Sequence, residues 1–525
     1  MPRVLIADEL SPAALEVFAS RGVVADVRTG LSKDALLAII GDYDGLAVRS
    51  ATKVTAEVLA AGERLKVVGR AGIGVDNIDL EAATARGVIV MNTPFGNAVT
   101  TAEHTISLML ALCRQIPAAD RSTRAGKWEK SRFLGVELMG KTLGLIGCGN
   151  IGSIVADRAQ GLKMRVIAYD PYLGPERAAE LGVEKVELDE LLARADIVSL
   201  HTPLTEQTRN ILSRERLLRA KPGVRIVNCA RGGLVDEEAL ADLIRSGHVA
   251  GAALDVFAVE PARESPLFAL DQVVVTPHLG ASTREAQENV AVQIAEQIAD
   301  YLTTGAIVNA LNMPSVTAEE APRLKPYMKL CEQLGSFAGQ LTETGLRGVT
   351  ITYAGRAATL NTKPLTQVCL AALLRPLLDS VNMVNAPAVA RQRDIDVVTT
   401  QREQIEGYQT LVTLEVLTER GPRAVAGTLF QDAEPRLVSI RGIPMEARLG
   451  PHMLFVRNAD KPGFIGALGK TLGDAQINIA TFHLGRDRPG GDAIALVEVD
   501  GPIPEAVVEQ VRRLPNVLQV KALKF

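Results

Sequence analysis

The sequence predicts an α/β protein: two doubly wound parallel-sheet domains, then an α+β domain, then a terminal βαββαβ module. Three observations predict it. Short, almost continuously apolar strands alternate with amphipathic helices over the first 300 or so residues, as in a parallel sheet covered on both faces. The alternation runs twice, separated by one long helix. Beyond it, helices precede alternating strands, and residues 452–525 read strand, helix, strand, strand, helix, strand.

The elements follow in order. The first series is "RVLIAD", "PAALEVFAS", "VVADVR", "KDALLAII", "GLAVRS", "AEVLAA", "KVVGRA", "LEAATARG" and "VIVMNT". The long helix "AEHTISLMLALCRQI" and a polar, basic connector, "RSTRAGKWEKSRFLG", lead to the second series. Its strands are "KTLGLIG", "RVIAYD", "DIVSLH", "GVRIVN", "GAALDV" and "QVVVTP". A helix, "STREAQENVAVQIAEQIADYL", is expected to return the chain to the first domain. The expected division is 1–97 plus 282–310, then 98–281, 317–450 and 452–525, with "ALNMPSV" (310–316) as a linker rich in breakers.

Bulk properties exclude several classes. The chain of 525 residues is 47% hydrophobic with a formal net charge of -4, so nothing implies attraction to nucleic acid or an anionic membrane. No uncharged apolar run reaches the roughly 18 residues a membrane span needs. The start "MPRVLIADEL" has neither a basic flank nor a cleavage site, so no export signal is expected. Five scattered cysteines without CxxC spacing point to reduced, buried thiols in the cytoplasm, with no disulfide framework and no metal site.

"GLIGCGNIG" spaces Gly147, Gly149 and Gly152 as GxGxxG between a strand and a helix, and the next strand ends in Asp170. That context makes the motif a dinucleotide fingerprint of the Rossmann kind. One glycine serves a tight turn, one a backbone approach to pyrophosphate, and one close helix packing. The Asp170 carboxylate suits ribose hydroxyls and repels a 2′-phosphate, so NAD is expected over NADP. A glycine-rich turn for packing alone is the competing reading.

Arg231, Glu260 and His278 each follow a later strand of this series, whose C-terminal ends converge on the ligand crevice. Alone, each reads as an ordinary loop or turn residue. Together, downstream of the fingerprint, they suit oxidation of a hydroxy acid. Histidine accepts the hydroxyl proton, a carboxylate orients the imidazole, and a guanidinium clamps the substrate carboxylate. Arg231 has no obvious acid partner in its stretch, so the substrate is its expected partner.

The motifs "GLIGCGNIG", "VNCARGGLVDEEAL", "LDVFAVEP" and "VVVTPHLGAST" resemble the D-2-hydroxyacid dehydrogenase family over roughly residues 1–310. The resemblance implies that Arg231, Glu260 and His278 are catalytic. It also implies NAD contacts at Asn150, Ile151, Asp170, Thr202, Cys229, Ala230, Arg231, Asp255, His278 and Gly280.

The substrate needs separate evidence. "RAGIGVDNID" offers Gly72, Ile73 and Gly74, whose backbone N–H groups can face an anion. Arg49 and Ser50 end the strand "GLAVRS" and suit a phosphate, although a structural ion pair is the competing reading of Arg49. Lys130 and Arg132 are placed to reach a neighbouring subunit's site. The module order resembles the long-form phosphoglycerate dehydrogenases. That implies oxidation of 3-phospho-D-glycerate in serine biosynthesis by a homo-oligomer, a dimer or tetramer. The alternatives are another D-2-hydroxyacid dehydrogenase with the same tail, or a nucleotide-binding sensor without turnover.

"VRNADKPGFIGALGKTLGDAQINIATFHL" resembles the ferredoxin-like ACT module, with Asn458, Asp460 and Asn478 at the effector positions. The resemblance implies L-serine as effector, with a purely dimerising module as the competing reading. Arg436, Arg441 and Arg448 lie near one hairpin. Related enzymes carry a basic pair where this chain has Ile443 and Pro444, so a solvated basic face competes with an anion site there.

Overall fold

The computed structural model describes residues 1–317, 319–378, 380–405 and 407–525. Four sheets organise the chain. The first is all parallel, with strands Val24–Val27, Arg3–Ile6, Gly45–Val48, Val67–Arg70 and Ile89–Met91 in spatial order. Helix Arg284–Thr304 returns from the second series and lies on this sheet. At Gly69 a Cβ would meet Ile294 at 2.6 Å, so only glycine allows that close approach.

The second sheet is also all parallel, in the order Val273–Val275, Val249–Leu254, Val224–Asn228, Ile197–Leu200, Thr142–Ile146, Arg165–Tyr169 and Glu184–Lys185. Its central strands bury nearly every residue, which explains their continuous apolar sequences. The strand order reverses beside Thr142–Ile146, and the glycine fingerprint follows that strand.

Several expectations are corrected. The connector after helix Ala98–Cys113 is partly helical, at Ile116–Arg124. Arg132 is held within the chain, 3.1 Å from Asp271 and 3.3 Å from Glu129, and so is not a free arm. The linker is docked: Ala310 bridges Met91, and the Asn312 side-chain carbonyl accepts from the Val90 N–H at 3.0 Å. Two strands of the third sheet, Leu346–Gly355 and Asp396–Arg402, join the predicted ones, as does helix Ala386–Gln392.

The last sheet has the order Ile479–Arg486, Asp492–Val499, His452–Ala459, Val517–Lys524, entirely antiparallel, as the βαββαβ pattern requires. It packs on helix Glu320–Gln340, where Phe337 meets Phe455 edge to face at 6.1 Å. Among the described residues no helix is long and apolar enough to cross a membrane.

Candidate active site

The parallel strands of the second sheet send their C-terminal ends to one edge, and the predicted cofactor and catalytic residues lie there. Gly147 has φ 93°, and a Cβ on it would lie 2.5 Å from the His201 carbonyl oxygen. A Cβ on Gly152 would lie 2.3 Å from the Gly147 carbonyl oxygen, so its absence lets helix Asn150–Gly161 close on the turn. Gly149 is exposed with nothing within 4 Å of its Cβ direction, which leaves the helix N-terminus open to a diphosphate. The Asp170 carboxylate accepts from the Cys148 and Tyr172 N–H groups, both at 2.8 Å. It is thereby fixed beside the turn with lone pairs left for hydroxyl groups. Asn150, Ile151, Thr202 and Ala230 line the same edge with accessible surface, while Cys229 is buried and its thiol is pushed up to about 12.

His278 and Glu260 meet, with Nδ1 2.7 Å from Oε2. The other Glu260 oxygen accepts the Phe257 N–H at 3.0 Å. The hydrogen bond to Glu260 holds His278 above the ordinary imidazole range, against the opposing effect of burial. Burial pushes Glu260 upward, but the bonds from His278 and the Phe257 N–H outweigh it and hold the carboxyl low. The pair therefore favours an ionised carboxylate beside a basic imidazole.

Asp255, expected among the NAD contacts, has no exposed surface. One oxygen accepts from the Thr276 hydroxyl at 2.6 Å and the Leu279 N–H at 2.7 Å, and the other from the Gly280 N–H at 2.8 Å. His104 Nε2 lies 3.2 Å away. Asp255 thus anchors the loop that carries His278. Gly280 is buried by the same contacts, and its carbonyl accepts from the Thr101 hydroxyl at 2.9 Å.

The expectation that Arg231 lacks an acid is corrected. Its Nε donates to Asp76 Oδ2 at 3.0 Å, from the glycine loop after strand Val67–Arg70, and its Nη1 donates to the Ala230 carbonyl at 2.7 Å. A Cβ on Gly74 would lie 1.7 Å from Arg231 Nη2, and one on Gly72 would lie 1.5 Å from Arg70 Nη1. The two glycines therefore make room for two guanidiniums. Among the described residues the N–H groups of Gly72, Ile73 and Gly74 have no backbone acceptor. The Arg49 guanidinium reaches only the Glu9 carbonyl, at 3.4 Å, and has no carboxylate partner among the described residues, so the ion-pair reading of Arg49 falls away. Ser50 beside it is exposed.

Arg70 was not singled out by sequence reasoning. Burial, then the charges of Arg231 and Arg49, bring its guanidinium down to about 10, and its Nε is buried without a partner. Its signal was a cation closing a buried strand, the same signal that marked Arg231.

In the terminal module the effector positions have partners within the chain. Asn458 is only 1% exposed. Asp460 accepts from Arg486 at 2.9 Å and from the Gly490 N–H at 3.0 Å, and Asn478 donates to Asp500 at 2.8 Å. Within one chain these three residues are engaged and do not form a single open pocket. Arg436 pairs with Glu434 at 2.8 Å and stacks over Phe430, whereas Arg441 and Arg448 are exposed, so the three arginines do not act as one cluster.

A dinucleotide crevice opposite an arginine-lined cleft, with a His–Glu pair at their junction, defines an NAD-dependent dehydrogenase of the 2-hydroxyacid class. Comparison agrees. Residues 106–280 match the D-isomer specific 2-hydroxyacid dehydrogenase NAD-binding domain, 323–441 the D-3-phosphoglycerate dehydrogenase intervening domain, and 452–516 the ACT domain. The D-3-phosphoglycerate dehydrogenase of Methanocaldococcus jannaschii is 42% identical, covering 100% of both chains. That of Synechocystis is 40% identical over 100% of this chain and 95% of its own. Among solved structures, the TT0316 protein of Thermus thermophilus is 39% identical with a TM-score of 0.55, covering 59% of this chain and 99% of its own. NAD-bound 3-phosphoglycerate dehydrogenase of Entamoeba histolytica is 29% identical with a TM-score of 0.51, covering 59% and 98%. The chain belongs to the D-3-phosphoglycerate dehydrogenase family, and its cofactor is NAD.

Proposed function

We propose that the chain oxidises 3-phospho-D-glycerate to 3-phosphooxypyruvate, the entry step of serine biosynthesis. The observation that carries this reading is the Arg49 guanidinium, which no carboxylate among the described residues engages, near Arg70 together with Arg231, itself near the His278–Glu260 pair. Bound NAD supplies the hydride acceptor. The His278 Nδ1–H is engaged by Glu260, so Nε2 takes the hydroxyl proton, and the carboxylate stabilises the resulting imidazolium. Arg231 holds the substrate carboxylate and polarises the developing carbonyl, helped by the N–H groups of Gly72, Ile73 and Gly74. Arg49, with Ser50 beside it, takes the phosphate.

The domain division that suits this work is 1–97 plus 282–310 for substrate, 98–281 for NAD, 317–450 intervening and 452–525 regulatory. We also propose a cytoplasmic homo-oligomer, a dimer or tetramer, regulated by L-serine at the terminal module. Five buried free thiols favour a reducing compartment. Arg486 and the Gly490 N–H both engage Oδ2 of Asp460, which leaves Oδ1 for the amine of serine.

The test measures NADH formation from 3-phosphoglycerate beside glycerate, lactate and 2-hydroxyglutarate, with and without serine. A strong preference for the phosphorylated acid is expected. Equal rates on all four would refute the substrate assignment and favour another 2-hydroxyacid dehydrogenase.

A further inference from the structure

Asp76 has no part in the chemistry above, yet among the described residues it is the carboxylate that touches Arg231. The cleft holds the guanidiniums of Arg49, Arg70 and Arg231, close enough for the first and last to act on Arg70. Its other acid, Asp8, is committed to the Arg49 N–H at 2.6 Å and to the Thr52 N–H and hydroxyl at 3.2 and 2.6 Å. Asp76 is 70% exposed on its side chain, and no donor among the described residues engages its second oxygen. A negative charge therefore stands on the Arg231 side chain itself, while the Asp8 carboxylate lies against the Arg49 backbone and not its guanidinium.

That asymmetry matters for a substrate with an anion at each end. Both ends of such a molecule find a guanidinium, so it has two ways to enter. Reversed, it puts the phosphate on Arg231 and carries the reacting carbon away from His278. We propose that Asp76 is a specificity-determining residue that sets the direction of substrate binding. Its charge repels the phosphate, at roughly -1.5 to -2, more strongly than the singly charged carboxylate. At the same time its bond to Nε leaves Nη2 for the carboxylate. The geometry at Gly74 supports this, because any side chain there would push the Arg231 fork off the loop.

The inference rests on the reading that the substrate is phosphorylated at the end remote from its carboxylate. The test is Asp76→Asn, which keeps the shape and an oxygen acceptor for Arg231 while removing the charge. Reversed binding is non-productive and competes with productive binding. For 3-phosphoglycerate, kcat and KM are then expected to fall together by about five- to tenfold while kcat/KM stays within about twofold. Glycerate lacks the phosphate and has no reversed mode to relieve, so its kcat stays unchanged and its KM falls by no more than about twofold, with loss of the weaker repulsion of its carboxylate. A raised KM with lower kcat/KM on both substrates would reduce Asp76 to a support for Arg231 and overturn the proposal. Unchanged constants on 3-phosphoglycerate would overturn it too. Failure of the substrate reading itself shows separately, as unsubstituted enzyme that does not prefer 3-phosphoglycerate over glycerate. NADH fluorescence titration of the variant confirms that the fold survives.

Discussion

Replacing Asp255 by Ala leaves the Leu279 and Gly280 N–H groups without their acceptor, the Gly280 bond being buried and the Leu279 bond partly so. An orphaned buried donor costs about 1–3 kcal/mol, and Gly280 is the donor that carries this cost. Thr276 adds little, because its hydroxyl can turn to His104, already 3.2 Å away. The loss falls on a loop where His278 sits at φ 56°, a conformation that persists only when its surroundings impose it. Local opening of the loop should rise by the same free energy, about fivefold at the low end and about 150-fold at the high end. The assay is hydrogen exchange at Leu279 and Gly280, with kcat/KM measured alongside. A displaced imidazole is expected to lower kcat/KM by about 10²-fold. Asp255→Asn keeps one oxygen and should recover part of both losses. Unchanged exchange at these amides, with kcat/KM within about threefold of the parent, would refute the anchoring argument.

Glu260→Gln removes the bond that raises His278, so the imidazole titrates lower. The base must be neutral to accept the proton, so the acidic limb of the kcat/KM pH profile should move to lower pH, with a plateau about 10²-fold lower. A limb that does not move would separate Glu260 from the titrating group. Arg49→Ala should weaken 3-phosphoglycerate far more than glycerate, by about 10²-fold in kcat/KM, and equal losses on both would remove the phosphate role. Asp170→Ala should bring NADP closer to NAD in kcat/KM, and a fixed preference would clear Asp170 of cofactor selection. Phe337→Ala, at a fully buried contact with Phe455, should cost about 3–5 kcal/mol. Chemical denaturation should show that loss as an earlier transition of the C-terminal half, with NADH binding retained.

Much of this protein was legible in its sequence, because the signals are local. A strand buried on both faces needs nearly continuous apolar residues, and the central strands that position the site have them. The glycines at 147, 149 and 152 answer to contacts within one strand–turn–helix unit, so their spacing alone carries the meaning. Strand Leu346–Gly355 escaped although it alternates, but three other missed elements have no such pattern. Strand Asp396–Arg402 is an edge strand exposed along its whole length, Glu184–Lys185 is too short to show a period, and helix Ile116–Arg124 is mostly polar.

Tertiary structure decided what depends on pairs distant in sequence. Asp76 and Arg231 lie 155 positions apart, and nothing near either announces the other. Family resemblance gives Asp255 as a cofactor contact, and burial with three donors shows that it also anchors the loop carrying His278. Asp460 and Asn478 read as open effector groups until Arg486 and Asp500 are found on them. A side chain's type and spacing determine which chemistry it can perform. Whether it is free to do so depends on which charges and hydrogen-bond donors the fold brings against it.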